Sequence, residues 1–148
     1  MEADDYFAIQ NLIHRYAERL DRGDFEGVAD LFADADVYFP ARSEPFRSDR
    51  AGLLEVWRSM VRLDPQTGTP LTRHLMTNLI IEPDGPGRAR AQTYGTVLQT
   101  TATLPLQPIV AVTYHDRFAK HAGTWRFAER RLEMGLIGDL SQHLLQSR

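Results

Sequence analysis

The apolar residues of this 148-residue chain change their period once, from helical in about the first 63 residues to strand-like from about residue 72 onward. In residues 5–22, Ile9, Leu12, Ile13, Tyr16, Ala17 and Leu20 recur at i, i+3, i+4, i+7, i+8 and i+11, the stripe of a helix laid on a core. Gly23 ends that helix as a C-cap. Asp24 suits the N-cap of a second helix, whose apolar residues are Phe25, Val28, Leu31 and Phe32. A short strand at 37–39, with Tyr38, leads into a polar loop broken by Pro40 and Pro45. Ser48 or Asp49 then caps a third helix over about 50–63, which buries Leu53, Leu54, Trp57, Met60 and Val61.

Beyond a turn-rich stretch at 64–70 the pattern reads as strands, at 72–82 and 88–101, joined by Pro83-Asp84-Gly85-Pro86-Gly87. Two more follow at 109–120 and 124–133, with a short connection through Gly123. Helices first and long strands after is an α+β layout, with the helices on one face of an antiparallel sheet. A sheet that curls around them leaves a hollow between the layers. The segment 134–148 holds Gly135, Gly138 and a short apolar stretch, and is compatible with a packed lid or a loose tail. The length fits one domain, 1–148, with a substantial core of its own.

Composition removes several classes of function. A formal charge of −3 with no basic run gives no nucleic-acid footprint, and Lys120 is the only lysine. Without cysteine there is no disulfide, thiolate nucleophile or zinc–thiolate site. Residues Met1–Asp5 are acidic and lack the pattern of a signal peptide, and no apolar run approaches the roughly 20 residues of a membrane span. A cytoplasmic protein is the expectation. Gly-x-Ser-x-Gly, a phosphate-binding loop and Gly-x-Gly-x-x-Gly are all absent. Neither histidine pairs at helix-ligand spacing nor carboxylate clusters occur, so no metal and no cofactor are expected.

Specific patches lie on this frame. They are Ile13-His14-Arg15-Tyr16, Leu20-Asp21-Arg22-Gly23-Asp24 and Leu31-Phe32-Ala33-Asp34-Ala35-Asp36, then Arg73-His74 with Asn78. Tyr114-His115-Asp116-Arg117-Phe118 and Gly123-Thr124-Trp125-Arg126-Phe127 complete the set. In this order they resemble the SnoaL-like branch of the NTF2-like superfamily, which includes scytalone dehydratase and the bile-acid 7α-dehydratases. The resemblance spans roughly residues 5–133. It implies a cone-like curved antiparallel sheet wrapped around three N-terminal helices, with a pocket for a small, largely apolar molecule.

The resemblance also implies a site. A helix tyrosine, an aspartate five residues later and a strand histidine match Tyr16, Asp21 and His74. Histidine, ordinarily titrating near about pH 6.5, serves as either acid or base near neutrality. A carboxylate bonded to it fixes its tautomer, and a phenol donates to an oxygen where negative charge develops. The plain readings are a core tyrosine, a turn aspartate and a structural histidine. In an ideal helix five positions separate Tyr16 and Asp21 by about 140°, so both face one pocket only where the helix ends or bends. Phe32, Tyr38, Trp57, Met76, Asn78, Tyr94 and Tyr114 are the expected lining.

The related dehydratases carry a further aspartate or histidine near the position of Val97, and residues 88–101 hold neither type. Tyr114 and Asp116 share a strand face that His115 does not. Tyr114 is the better pocket residue, and Asp116 suits an arginine such as Arg126 or Arg130. His14, His121 and His143 are read as surface residues. The leading reading is a cofactor-independent lyase or isomerase acting on a hydroxylated polyketide, steroid or aromatic ketone by His–Asp chemistry. A cyclase or epoxide hydrolase and a non-catalytic ligand-binding domain are the alternatives. A homo-oligomer, trimer or dimer, is expected, with the strand face of Arg73, Leu75, Thr77, Leu79 and Ile81 as one meeting place.

Overall fold

A computed structural model describes residues 1–145, so residues 146–148 of the tail lie outside the described residues. Among the described residues the elements are α1 (Ala3–Asp21), α2 (Phe25–Leu31), β1 (Asp36–Tyr38), β2 (Phe46–Arg47) and α3 (Arg50–Met60). They are followed by β3 (Thr72–Pro83), β4 (Arg88–Gln99), β5 (Gln107–His121) and β6 (Thr124–Ile137). No helix among them is long and apolar enough to cross a membrane.

The helix boundaries follow from local chemistry. Asp24 and Asp49 each accept a hydrogen bond from the backbone N–H three residues on, at Gly27 and Gly52 (2.9 Å in both), which satisfies an otherwise orphaned donor. α1 buries Ile9, Ile13, Tyr16, Ala17 and Leu20. Its first turn is held by Asp5, whose carboxylate accepts from Trp125 Nε1 at 2.7 Å and from Lys120 Nζ at 2.9 Å. Those two bonds, the indole first, hold the Asp5 carboxyl below the usual carboxylate range.

Gly23 has φ 74°, and a Cβ there would run into the carbonyl oxygen of Gly68. Gly23→Ala is expected to destabilise the fold by more than about 1 kcal/mol, because alanine meets both the left-handed backbone and that carbonyl. Urea unfolding at constant m checks it.

The sheet runs β2-β1-β6-β5-β4-β3. The four long strands are antiparallel neighbours, but β1 pairs with β6 in parallel (Val37 opposite Arg130), so the sheet is mixed and not purely antiparallel. β5 and β6 join through Ala122 and Gly123, both at positive φ as a two-residue hairpin requires. The curved sheet and the three helices enclose one core, in which Phe32, Phe118, Phe127, Ile9, Ile13 and Leu53 are essentially inaccessible.

Two expectations about faces change. β3 slips register between Thr77 and Ile80, at Asn78 with φ 52°. An extra residue in one strand reverses which side chains face inward. Arg73, Leu75 and Thr77 therefore point out, as expected, while Leu79 and Ile81 turn toward the core and Ile80 is exposed. The tail also proves structured through residue 145. β6 continues to Ile137, and the chain then returns to α3, where Arg62 N–H donates to His143 O at 2.8 Å and Leu145 N–H to Met60 O at 2.9 Å.

Candidate active site where α1 meets β3

α1 stops at Asp21, at the height where β3 begins, so the last carboxylate of the helix lies against the first inward residues of the strand. Asp21 Oδ1 accepts from Thr72 Oγ1 at 2.9 Å, and Oδ2 accepts from the His74 backbone N–H at 2.8 Å. His74 Nδ1 lies 2.5 Å from Asp21 Oδ1. The His74 side chain is 3% exposed and that of Asp21 12%. A carboxylate against Nδ1 favours the tautomer with its proton on Nδ1, which leaves Nε2 as the acceptor. Nε2 has no hydrogen-bond partner among the described residues.

Tyr16 lies one turn deeper. Its ring meets the His74 ring edge-on, with centroids 6.2 Å apart, and its hydroxyl lies 3.4 Å from that of Tyr114. Burial raises the pKa of both phenols, that of Tyr114 well above the ordinary value, against the opposing pull of Arg130. Both therefore remain neutral donors near neutral pH.

Asp21 is the last residue of α1, so the roughly 140° between it and Tyr16 still lets both meet β3 side chains. Tyr16 faces the core, while Asp21 is turned to β3 at the terminus, so the three side chains form a row from core to rim.

Arg130 on β6 reaches its cross-strand partner Asp116 on β5 through two bonds, Nε to Oδ1 at 2.7 Å and Nη2 to Oδ2 at 2.8 Å. Its guanidinium stands 4.3 Å from the Tyr16 ring centre and 4.2 Å from that of Tyr114. Burial works against the charge, but the Asp116 carboxylate more than offsets it, so the arginine is firmly charged.

The open space lies at the rim. A groove of about 690 Å³ runs between α1 and β3, lined by His14, Ala17, Glu18, Asp21, Arg22 and residues 72–77. A second groove, of about 360 Å³, lies where Glu26 and Arg58 already neutralise each other at 3.1 Å, and it holds no histidine.

Of the expected lining residues, Met76 borders the larger groove with the His–Asp pair. Phe32, Trp57 and Tyr114 are packed in the core; the Phe32 ring centre is 4.5 Å from Phe127 and 6.1 Å from Trp57. Tyr38 lies half-buried under Arg131, 3.7 Å from guanidinium to ring centre. Asn78 and Tyr94 do not belong to the site. Asn78 is exposed at the β-bulge, and Tyr94 is 45% exposed on the outer sheet face because β4 turns Thr93 and Gly95 inward.

The sequence reading missed Thr72, although Thr72 and His74, two apart on a strand, necessarily share a face. It also placed His143 at the surface, whereas His143 is 8% exposed. Burial, then the neighbouring His74, pushes His143 down to about 4.

This shift has a sign in stability. Below the ordinary value of about 6.5, an unfolded histidine binds a proton that the folded one refuses. Stability is complete above that pH and falls as the pH drops toward 4, by at most about 3 kcal/mol from this group. Urea unfolding at about pH 7 and about pH 4.5 should show a smaller acid loss in His143→Phe than in the parent.

A family model described as a SnoaL-like domain matches residues 1–131. A protein of unknown function from Mycobacterium tuberculosis is 30% identical with a TM-score of 0.70, over 90% of this chain and 73% of that one. A candidate scytalone dehydratase from Novosphingobium aromaticivorans is 22% identical with a TM-score of 0.71, over 97% and 89%. ActVI-ORFA of Streptomyces coelicolor is 19% identical with a TM-score of 0.70, over 89% and 98%. No curated protein matches the chain at a significant level. With nearly the whole chain matched by the family model and the same α+β architecture in these relatives, the chain belongs to the SnoaL-like family.

Proposed function

We propose that the chain catalyses a cofactor-independent elimination or isomerisation on a small hydroxylated ketone, with His74 as the acid/base group. The observation that carries this reading is the Asp21–His74 pair. It is held from behind by Thr72 and the His74 backbone N–H, and it borders a groove of ligand size. In a β-hydroxy ketone, Nε2 removes the proton on the carbon next to the carbonyl, and the electrons form an enolate. As they return, the C–O bond to the hydroxyl breaks, and the same Nε2 proton leaves with it as water. Asp21 holds Nδ1–H throughout and stabilises the imidazolium between the two steps. The Tyr16 phenol, neutral and edge-on to the His74 ring behind the groove, is the donor this reading assigns to the carbonyl oxygen, in exchange for its contact with the Tyr114 hydroxyl.

The hydrolase reading needs a carboxylate free to activate water. Asp116 gives both oxygens to Arg130 and is 2% exposed, which disfavours that role. The test uses 3-hydroxy-1-tetralone, which loses water to give fluorescent 1-naphthol. The expected result is enzyme-dependent naphthol formation, with no ¹⁸O from labelled water incorporated into a diol product. No acceleration over buffer sinks the proposal in favour of a binding domain. The expected homo-oligomer would form through the outer sheet face, where Leu75, Ile80, Tyr94 and Leu136 stand exposed. Equilibrium sedimentation returning only monomer would remove that expectation.

A further inference from the structure

β3 is an edge strand, paired with β4 on one side only. Along an antiparallel pair the residues alternate: one turns its backbone N–H and C=O to the neighbouring strand, the next turns both away. Two bonds set the phase on β3. The His74 N–H donates to Asp21 on α1, so residue 74 turns its backbone polar groups away from β4. The Thr100 N–H donates to Leu71 O, so the odd-numbered residues turn theirs toward β4.

The register between β3 and β4 is unbroken from Thr72 to Thr77, so Met76 repeats the orientation of His74. Met76 is half-buried and borders the groove. Its N–H and the His74 C=O thus point along the open edge, with no hydrogen-bond partner among the described residues. Among the α1 residues of the groove, Ala17 carries no polar side chain and Glu18 is held by Arg22 at 2.8 Å. Asp21 draws the His74 ring to the same edge, because Oδ2 takes the backbone N–H while Oδ1 lies against Nδ1.

We propose that the Met76 N–H and the His74 carbonyl hold the leaving hydroxyl of the substrate, the amide donating to its oxygen and the carbonyl accepting its hydrogen. The inference rests on the elimination reading of the Asp21–His74 pair and assigns the edge of β3 as the subsite for the alcohol. A hydroxyl both donates and accepts, whereas a ketone oxygen only accepts, so a donor and an acceptor one residue apart select the alcohol end. The hydroxyl oxygen keeps a second lone pair for the proton that Nε2 delivers. The bond from Met76 meets the charge that develops as the C–O bond breaks.

The experiment is amide NMR and hydrogen exchange on the full chain. In the free protein the Met76 amide should exchange at least about 10-fold faster than those of Arg73 and Leu75, which the ladder protects. Slow exchange at Met76 would mean that the edge already has a partner, such as the same edge of a second copy, and overturns the proposal. At pH 7, 2-tetralol has the hydroxyl but no carbonyl to drive elimination. It should move the Met76 amide proton downfield and slow its exchange, whereas tetralin, which lacks the oxygen, should do neither. A Met76 amide unmoved up to the solubility limit of 2-tetralol overturns the proposal.

Met76→Pro removes the N–H without losing a ladder bond, since that N–H does not face β4. Its dissociation constant for 2-tetralol should rise roughly 3–10-fold more than that of Met76→Leu, which replaces the same side chain but keeps the amide. Equal effects in the two variants, or a loss that falls equally on tetralin, count against the proposal. Naphthol formation alongside an unmoved Met76 amide would leave the reaction standing without this subsite. A Met76 shift without naphthol formation would keep the hydroxyl subsite and remove the reaction.

Discussion

Arg130→Met should destabilise the fold by about 3–5 kcal/mol and lower Tm by on the order of 10 °C. The reason is what remains. Asp116 is 2% exposed, its side chain is inaccessible, and both its oxygens bond Arg130. Methionine fills most of the volume among Tyr16, Tyr114, Phe32 and Phe127 but leaves a carboxylate in the interior with no cation. That loss greatly exceeds what exposed pairs such as Arg22–Glu18 contribute, roughly 0–1 kcal/mol. The double variant Arg130→Met with Asp116→Leu should recover most of the stability, since neither charge is then desolvated alone. Thermal and urea unfolding of the three proteins measure it. A single-variant loss under about 1 kcal/mol would mean that Asp116 finds water or another partner.

His74→Gln should reduce kcat/KM for 3-hydroxy-1-tetralone by at least about 10²-fold, the usual scale for a general acid/base group. Glutamine keeps a polar side chain of similar reach, so the backbone bond from residue 74 to Asp21 and the overall fold should persist. The loss should fall on kcat, because the proton transfer happens only on the way to the transition state. Asp21→Asn tests the support. An amide has one acceptor oxygen, so it keeps only one of the bonds that the two carboxylate oxygens take from Thr72 and the residue 74 N–H, and it removes the negative charge beside Nδ1. A drop in kcat with little change in KM is the signature of a mis-set tautomer. Retained turnover in His74→Gln would take this histidine out of the mechanism, whatever its geometry.

Much of the architecture was legible because it is local. The α1 stripe, the Asp24 cap, a cap at Ser48 or Asp49 and a short connection through Gly123 each follow from spacing and backbone preference within a few residues. The Asp21–His74–Tyr16 row was suggested only by resemblance, since nothing local brings a helix end to a strand.

What escaped is non-local or parity-dependent. Tyr94 was placed on the wrong face because β4 inverts the usual economy: its inward residues are Ala89, Ala91, Thr93, Gly95, Val97 and Gln99, and the large aromatic points out. Small residues are needed inside, since a Cβ on Gly95 would press on the Tyr114 ring. The bulge at Asn78 is one residue adopting a left-handed backbone, which asparagine tolerates without requiring. His143 is buried by contacts with residues about 80 positions earlier, and no pattern within the tail encodes them.

Asp21 and His74 are 53 positions apart, and α2, α3, β1 and β2 all lie in the loop that their contact closes. Closing a loop of that length precedes any reward from the contact itself, and such closures belong late in a folding reaction. Refolding should therefore restore secondary structure ahead of competence: far-UV signal returns first, and the His74 ring resonance reports the moment at which the helical half docks on the sheet.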